Sequence, residues 1–155
     1  MIDQADANFP LHLLTYKQAW HSMARTISLP WLVSIQPENF VEMNTGDAKA
    51  RDIRTGDLIV VTSASHPEGS VGRARLTETI RPGAVAIAHS FGHWEMGSRS
   101  HKVNGQNSDH DRGRAAGIAS NPIMRADPQK PNVTLQDKVG GSASFYDTHV
   151  QVTKV

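Results

Sequence analysis

Residues 11–23 read LHLLTYKQAWHSM and form the stretch around which the chain is organised. Leu11 and Leu13 stand two residues apart, which predicts a short β-strand with both leucines on one face. The stretch then leaves the strand into a loop whose polar side chains differ in chemistry: Thr15, Lys17, Gln18, His21 and Ser22. Turns are normally built from Gly, Pro, Asn or Asp. This mixture therefore indicates a platform for a phosphate-bearing, hydrogen-bonding ligand, and an ordinary surface loop with a partly buried Trp20 is the alternative.

Length and composition are typical of one mainly β domain. The chain has 155 residues, of which 38% are hydrophobic, with 12 Gly and 8 Pro. A turn-rich globule fits these values better than a helix bundle does. Lys and Arg total 16 against 15 Asp and Glu, which gives a net charge of +1. Because this balance does not favour binding to a polyanion, no nucleic acid partner is predicted.

The absence of cysteine excludes several kinds of chemistry from this chain. Disulfides, thiolate zinc sites, iron–sulfur clusters and cysteine nucleophiles all require that residue. No apolar run approaches the roughly 20 residues of a membrane-spanning helix, so no direct membrane insertion is predicted. Residues 1–9 are mostly acidic and polar, unlike a signal peptide, and are expected to be a flexible lead-in or a cloning edge.

The rest of the chain is predicted to form further short strands separated by turns. Segment 29–35 is either a short helix or a buried strand, since its length does not decide between them. Residues 63–70 are expected to be a loop because Pro67 and Gly69 interrupt them. The predicted strands are 40–43, 58–62, 71–78, 84–89 and 145–152. Val41 and Met43 are expected to share one face of the first, and 84–89 is expected to be buried. Strands this short and closely spaced are typical of a small β-barrel.

One short helix is predicted between the strands at 40–43 and 58–62. Thr45 is expected to be its N-cap, with Asp47 in the first turn, where a carboxylate meets the positive end of the helix dipole. The helix is expected to end near Ile53 and to lead into a tight turn at 54–57, in which a glycine can adopt a positive φ angle.

Residues 95–120 are predicted to form a long loop. They combine Gly, Ser, Asn and Asp with several basic side chains and show little apolar periodicity. A loop of this length inside a compact domain is usually functional or disordered. Both outcomes fit a segment that becomes ordered only when a ligand or partner binds.

Motifs of common enzymes are weak in this sequence. His89 and His93 are four residues apart, but this spacing joins two imidazoles only on a helix, and Gly92 argues against one. A zinc-dependent hydrolase built on this pair is a minor alternative, and no metal ligand is predicted. No strained nucleophile turn, Walker loop or G-x-G-x-x-G fingerprint occurs. No catalytic residue is therefore predicted.

Two stretches carry a resemblance to a known family. The first is 13–23, where the family has Thr-x-Arg or Thr-x-Lys followed by a histidine and a small polar residue. The second is 41–61, which contains a strand, a short helix, a Gly-Asp turn and another strand, with Asp52 where the family usually has glycine. Shorter matches lie at 80–85 (IRPGAV), at Asn121 and at 150–152.

In this order and spacing, residues 10–155 resemble the C-terminal molybdopterin dinucleotide-binding domain of the dimethyl-sulfoxide-reductase family of molybdenum and tungsten oxidoreductases. Within that family they resemble the tetrathionate, thiosulfate or polysulfide reductase branch. The resemblance implies a mainly β domain with short helices, folded as a six-stranded double-psi β-barrel of the aspartate-decarboxylase-like type. It also implies that this domain binds molybdopterin guanine dinucleotide, with molybdenum or tungsten, in a full-length parent.

The resemblance further implies which residues contact the cofactor. They are Thr15, Tyr16, Lys17, Gln18, His21, Ser22, Met23, His93, Trp94, Asn121 and Tyr146. Tyr146 stands where some relatives carry a cofactor-contacting lysine. Chemically, Lys17 suits a diphosphate, Trp94 can stack on guanine, and imidazole and hydroxyl groups suit the pterin. The metal would be held by dithiolene sulfurs and a ligand from elsewhere, so catalysis belongs to the cofactor.

Two hypotheses describe the whole protein. In the first, the chain is the C-terminal part of a larger catalytic subunit that reduces a sulfur oxyanion or polysulfide. Its partners would be the remaining domains of the parent together with an iron–sulfur electron-transfer subunit, in a periplasmic or membrane-associated complex. We then expect the isolated chain to be inactive and to bind the dinucleotide weakly or not at all. In the second, the chain is a free-standing double-psi barrel that serves as a subunit or binding module of a multi-protein complex.

Overall fold

The computed structural model describes residues 7–94, 98–109 and 112–155. Within these ranges the chain is mainly β, with two short α-helices, α1 (Pro30–Ile35) and α2 (Thr45–Lys49). Single 3-10 turns lie at Met23–Arg25, Arg112–Ala115 and Asn121–Ile123. The strands are β1 (Leu11–Tyr16), β2 (Val41–Met43), β3 (Leu58–Ser63), β4 (His66–Leu76), β5 (Ala84–Ala88), β6 (His101–Val103), β7 (Gln106–Ser108), β8 (Ala126–Asp127), β9 (Lys130–Thr134) and β10 (His149–Lys154).

Six of these strands close into a barrel in the order β1-β10-β3-β4-β2-β5. The neighbours β1 and β5 are parallel, as are β2 and β4, and the other neighbours are antiparallel. Parallel neighbours need a long crossover connection, and here several barrel strands separate β1 from β5 along the chain. Closure removes the open edges that a flat sheet of these strands would have. The predicted six-stranded double-psi β-barrel is confirmed.

Alternate residues of the barrel strands fill its interior. Leu11 and Leu13 of β1 are buried, as are Val41 and Met43 of β2, which confirms the faces predicted for both strands. In β5 every residue from Ala84 to Ala88 is buried, as predicted for that strand. Each large aliphatic side chain buried in this way contributes roughly 1.5–3 kcal/mol relative to an exposed one. The core therefore follows the period-two pattern of the sequence in β1 and β2, whereas β5 is buried on both faces.

The loop predicted at 63–70 is wrong, because β4 already begins at His66 and pairs with β3. Ser63 pairs with His66, and a register shift then interrupts the ladder. Pro67 and Gly69 lie near that irregularity, where a missing N–H and a φ of 71° can be accommodated. These turn-forming residues therefore mark a bulge within a strand.

The boundaries of β1 and β10 also differ from the predictions. β1 continues through Thr15 to Tyr16, which pairs with Ala88 of β5, although the sequence prediction placed Thr15 in the following loop. β10 spans His149–Lys154 instead of 145–152. In both cases pairing with neighbouring strands decides the boundary, and the pattern of one strand does not reveal it.

The N-cap of α2 is Asn44, so the cap predicted at Thr45 is wrong by one residue. The Asn44 side chain accepts a hydrogen bond from Gly46 N at 2.9 Å and satisfies a free N–H of the first turn. Asp47 lies in that first turn, as predicted. The helix ends at Lys49, earlier than the sequence prediction placed its end.

The turn predicted at 54–57 is confirmed. Gly56 has a φ of 93°, which a residue with a Cβ rarely adopts. Asp57 Oδ2 accepts a hydrogen bond from Arg54 N at 2.9 Å and pairs with Lys154 Nζ at 2.7 Å. The hydrogen bond with Lys154 is the main reason why the pKa of the Asp57 carboxyl is lowered. The turn is thereby tied to β10.

The ambiguous segment 29–35 forms α1, with Pro30 at its start, where the missing N–H is not needed. Trp31 and Ile35 of this helix are 76% and 62% exposed. α1 therefore leaves two large apolar side chains on the surface. No helix in the described residues is long and apolar enough to cross a membrane.

Part of the predicted loop 95–120 forms a β-hairpin. β6 and β7 pair antiparallel around Asn104 and Gly105, whose φ angles are 50° and 80°, as in a type I′ turn. This Asn-Gly pair is a hairpin signal that the sequence prediction did not use. Residues 95–97 and 110–111 of the predicted loop, and residues 1–6 of the predicted lead-in, lie outside the described residues.

Asp52 provides a test of backbone strain in this fold, since its φ of 52° is left-handed. A residue with a Cβ pays roughly 1–2 kcal/mol for this conformation, although Asp tolerates it better than most. Asp52→Gly should therefore raise the free energy of unfolding, measured with urea, by about 0.5 kcal/mol. Lys49→Gly, in the right-handed α2, is the control and should lower it by about 1 kcal/mol. Equal losses in both variants would contradict the strain assigned to Asp52.

Candidate functional site

A cleft lies where β1 and β5 end. The two strands are parallel, so their carboxyl ends leave the barrel at the same edge. The contact continues one residue beyond β5, because His89 N donates a hydrogen bond to Tyr16 O at 2.8 Å. The loops that follow, 17–23 and 89–94, therefore start side by side although they are far apart in the sequence.

The cleft has a volume of about 590 Å³, which is within the range of small-molecule sites. Residues 89–94 form one wall and residues 119–121 form another. Residues 23–24 and Phe145 complete the lining. Four separate parts of the chain thus build one concave surface.

Four of the predicted cofactor residues meet in this cleft. Met23, His93, Trp94 and Asn121 all line it, although they come from three distant parts of the sequence. Together they offer a thioether, an imidazole, an indole that is 45% exposed at Trp94, and a primary amide. Such a set can cover the face of a flat ring and bind its polar edge.

Polar atoms without partners are concentrated around the start of loop 17–23. Thr15, Gln18 and His21 are 2%, 8% and 3% exposed. Within the described ranges, Thr15 Oγ1, Gln18 Oε1 and His21 Nε2 have no hydrogen-bond partner, and neither does the buried atom His93 Nε2. Each unsatisfied buried polar group costs roughly 1–3 kcal/mol. Four such atoms lie in or beside the two loops, where water or a bound ligand can satisfy them.

His21 is held in place by contacts on two sides. Its Nδ1 lies 3.2 Å from Thr26 Oγ1, and its ring packs edge-on against Phe91 at 5.3 Å. Thr26 Oγ1 also accepts a hydrogen bond from Ser22 N at 2.7 Å. Burial lowers the pKa of His21. A hydrogen-bonding contact with the Gln36 backbone favours the protonated ring and opposes this shift. The ring is therefore mainly neutral at pH 7 and keeps Nε2 at a defined position.

Apart from Met23, the predicted residues of the opening stretch are not among the described residues that line the cleft. Tyr16 alternates with the inward-facing Thr15 and lies near Glu42. Its partial burial, and to a smaller extent the negative charge of Glu42, raise the pKa of its phenol. Lys17 and Ser22 are exposed in the loop. The structure therefore separates a buried set of opening-stretch residues from an exposed set.

Phe145 and Tyr146 contribute to different clefts. Phe145 lines the cleft described above, and its ring meets His89 edge-on at 6.1 Å. Tyr146 lines a second cleft of about 880 Å³, together with His12 at the start of β1. The Tyr146 hydroxyl donates a hydrogen bond to Thr15 O at 3.5 Å. The sequence prediction chose Tyr146 and passed over its neighbour.

The sequence prediction did not include several residues that line the cleft. They are Ser90, Phe91, Ser120, Phe145 and His89, which was considered only as a zinc ligand. One signal is visible only in the backbone. Among the described non-glycine residues with positive φ, Asp52 and Asn104 are of types that tolerate it, whereas Met23 (53°) and Ser90 (79°) are not. Both of the latter line the cleft. Strain of this kind concentrates at functional sites.

The zinc alternative gains no support from this geometry. His89 and His93 both line the cleft. Across the described ranges, however, no group of three or more His, Asp or Glu side chains could hold a metal ion. Zinc sites in proteins use at least three protein ligands.

Comparison with known proteins relates the chain to one family. The family model "Molydopterin dinucleotide binding domain" matches residues 11–122, more than half of the chain. A selenate reductase subunit from Mesobacillus selenatarsenatis is 39% identical, covering 93% of this chain and 15% of the relative. A tetrathionate reductase subunit from Salmonella typhimurium is 31% identical, covering 87% of this chain and 13% of the relative.

Two further comparisons extend this likeness. The molybdopterin-containing subunit of an arsenate respiratory reductase from Chrysiogenes arsenatis is 33% identical, covering 77% of this chain and 14% of the relative. Acetylene hydratase from Pelobacter acetylenicus matches with a TM-score of 0.64 and 12% identity, covering 95% of this chain and 18% of that one. At this identity the structural match shows the fold alone. The chain spans 13–15% of the length of the three reductases.

The buried His21 predicts how stability depends on pH. Because burial lowers its folded pKa below the ordinary 6.5, the unfolded chain takes up a proton first as pH falls. The stabilising contribution is therefore complete above pH 6.5 and is lost as pH falls through the folded pKa. His21→Asn keeps a polar atom near Nδ1 but does not titrate. It should reduce the loss of unfolding free energy between about pH 7 and pH 5, measured with urea.

An exposed histidine serves as the control for this experiment. His101→Asn removes a histidine that lies in β6 and is exposed, and it should change the pH profile less than His21→Asn does. If both substitutions change the profile equally, burial of His21 is not the cause.

Proposed function

The chain belongs to the family of molybdopterin dinucleotide-binding domains of molybdenum oxidoreductase catalytic subunits, and we propose that its molybdopterin guanine dinucleotide lies in the cleft at the ends of β1 and β5. The cofactor of this family carries molybdenum or tungsten. The observation that carries the proposal is that Met23, His93, Trp94 and Asn121 line this one cleft. Buried, unpartnered polar atoms at His93 and, in the adjoining stretch, at Thr15, Gln18 and His21 support it. A ligand with polar edges would satisfy groups that otherwise destabilise the fold.

The residues present fit such a ligand in chemistry and shape. Pterin and guanine are flat rings with donors and acceptors along their edges, and the cleft combines an indole, a phenyl ring, imidazole and amide groups. Gly92 also allows a close approach of the two walls, since a Cβ there would lie 2.3 Å from Ala119 N. The two walls therefore meet at a point where only glycine fits.

We assign each side chain a task according to its chemistry. Trp94 stacks on a ring, and the Asn121 amide binds a polar ring edge. Lys17, exposed in the loop, pairs with the diphosphate. The groups assigned to the pterin are Thr15, Gln18, His21 and His93. The remaining contacts carried over from the resemblance are Tyr16, Ser22, Met23 and Tyr146.

When bound, the cofactor supplies the metal centre at which electrons are exchanged. The residues of this chain bind and orient it. His21 is mainly neutral at pH 7, so it offers a hydrogen bond without adding a full positive charge. The sequence has no cysteine, so this chain offers no thiolate to the metal.

We extend the proposal to a longer catalytic subunit that reduces an oxyanion and whose electron partner is an iron–sulfur protein. The three reductases compared above act on selenate, tetrathionate and arsenate by name, and all three substrates are oxyanions. The full reading frame tests this extension. An in-frame upstream extension with a four-cysteine cluster supports it, whereas native start and stop codons around these residues support a free-standing barrel subunit.

An exposed apolar surface between residues 20 and 35 supports packing against the remaining domains of such a subunit. It comprises Trp20, Met23, Leu29, Trp31 and Ile35, which are 41–76% exposed. Grouped apolar side chains of this size mark interaction surfaces. Met23 also lines the cleft, so one member of this set belongs to the proposed cofactor site as well. A cofactor held in an open cleft needs a second covering surface, and we propose that the remaining domains provide it here.

Substitutions in the opening stretch test the cofactor assignment. In the longer subunit, Lys17→Ala and His21→Ala should each lower cofactor affinity about tenfold or more, because each removes a hydrogen-bonding or charged contact. Molybdenum and released guanine nucleotide per polypeptide measure occupancy. Circular dichroism and the thermal midpoint show that the domain stays folded.

Lys49→Ala is the matched lysine control. Lys49 is exposed in α2, outside the described cleft lining, so this variant should keep its cofactor. If the Lys17 and His21 variants keep normal occupancy as well, the assignment of the opening stretch is wrong.

The apolar surface has its own test. Trp31→Ser should leave the stability of the isolated chain nearly unchanged, within about 0.5 kcal/mol, because the side chain is 76% exposed. In the longer subunit the same change should expose the 20–35 region to limited proteolysis. Val139→Ser, at a site that is 98% exposed, is the control and should have neither effect. Equal protease resistance of the Trp31 variant and the unaltered subunit would refute the packing.

A further inference from the structure

Asn39 connects the two walls of the cleft although it is not among the described residues that line it. The residue is fully buried, at 0% exposure. Its Nδ2 donates hydrogen bonds to Ala88 O at 2.7 Å and to Ile118 O at 2.9 Å. Its Oδ1 accepts a hydrogen bond from Ile118 N at 2.7 Å. Both amide protons and the amide oxygen are thereby used.

The two carbonyl partners stand immediately before the two walls. Ala88 is the last residue of β5 and precedes wall residues 89–94, and Ile118 precedes wall residues 119–121. One side chain thus ties together the points from which both walls start. His93 and Trp94 follow on one wall, and Asn121 follows on the other.

Two glycines show how tightly this junction is packed. A Cβ at Gly117 would lie 2.3 Å from Asn39 Oδ1 and 2.9 Å from Asn39 N. A Cβ at Gly92 would lie 2.3 Å from Ala119 N. Both glycines have positive φ, at 83° and 67°. The walls therefore meet in an arrangement that leaves little room for a different side chain or backbone path.

We propose that Asn39 is a positioning residue for the dinucleotide cleft: it holds the ends of the two walls at the spacing that the cofactor needs. This inference rests on the proposed function. Asn39 acts through Ala88 and Ile118 and not by touching the cofactor. Its loss should widen or loosen the cleft while the barrel strands stay paired.

Asn44 offers a matched comparison at the opposite end of the same strand pair. β2 lies between Asn39 and Asn44 and runs antiparallel to β5. Asn44 is also buried, at 7% exposure, and its Nδ2 donates to Ile80 O at 2.9 Å while Oδ1 accepts from Gly46 N at 2.9 Å. Both asparagines bridge backbone segments, but only Asn39 bridges the walls of the cleft.

The first experiment uses the chain without cofactor. Asn39→Asp and Asn44→Asp each replace an amide nitrogen with an oxygen. In the Asn39 variant this oxygen faces the Ala88 and Ile118 carbonyls. In the Asn44 variant it faces the Ile80 carbonyl and the Glu78 carboxylate. In the Asn39 variant the carboxylate can still accept from Ile118 N, but it loses both hydrogen bonds to the carbonyls and repels them. The junction should therefore open more often, and hydrogen exchange of the Ile118 and Gly92 amides should accelerate about tenfold. The Asn44 variant should leave exchange at both amides unchanged. Unchanged exchange in the Asn39 variant would overturn the proposal.

Asn39→Ser, which leaves no carboxylate in the core, is a second variant in case the first does not fold. If neither variant folds, hydrogen exchange of the unaltered chain tests the proposal instead. Gly92 N donates to Ala116 O, and Ile118 N donates to Asn39, so the two amides should open together and show the same protection. Protection that differs by more than about tenfold between them would show that the walls are not coupled.

The second experiment compares cofactor occupancy at matched stability in the longer subunit. Asn39→Asp should lower molybdenum and guanine nucleotide content at least about fivefold relative to Asn44→Asp, because a misplaced wall weakens several contacts at once. Equal content in both variants would mean that Asn39 has a structural role only. If the Lys17 and His21 variants lose cofactor while the Asn39 variant keeps it, the positioning inference fails and the proposed function stands. If no variant changes occupancy, the proposed function fails, and the exchange data still decide whether Asn39 couples the walls.

Discussion

The parallel ladder between β1 and β5 is the constraint on which the site depends. It runs from the pair His12 and Ala84 to the pair Tyr16 and Ala88, and a backbone hydrogen bond from His89 to Tyr16 extends it. β5 is buried along its whole length, so its position is determined by packing on both faces. With both strands fixed, the two loops that leave them must start at the same edge of the barrel. The cleft follows from that geometry.

Several features in and beside this cleft lower the free energy of unfolding of the domain. Buried atoms at Thr15, Gln18, His21 and His93 have no partner in the described part of the chain, and each costs roughly 1–3 kcal/mol. Met23 and Ser90 add left-handed backbone conformations that their side chains disfavour. A core of tightly packed aliphatic residues offsets these costs. A bound ligand that satisfies the same atoms would return part of that stability by mass action.

The two asparagines that flank the short strand β2 have different roles in this fold. The strand has three residues, yet it pairs with β4 on one side and β5 on the other. Asn44 at its end caps α2 and holds the 78–80 turn, which is a structural task. Asn39 before its start spans the junction of Ala88 and Ile118. Comparable hydrogen bonds thus serve stability at one end and the shape of the cleft at the other.

The sequence by itself determined the local features: the inward faces of Leu11, Leu13, Val41 and Met43, the Gly56 turn, and, through a family resemblance, the barrel class and most of the loops at the cleft. Such features depend on side-chain period, turn chemistry and short motifs, which are readable within a few residues. Only the tertiary structure decided that β1 lies beside β5, that Thr15 belongs to a strand, that 66–70 pairs with β3, and that Phe145 enters the cleft where Tyr146 was expected. It alone brought Asn39 between Ala88 and Ile118. The physical reason is that the pattern of a strand specifies which face is buried but not which strand pairs with it. The cleft is built from segments that only strand pairing and tertiary packing bring together.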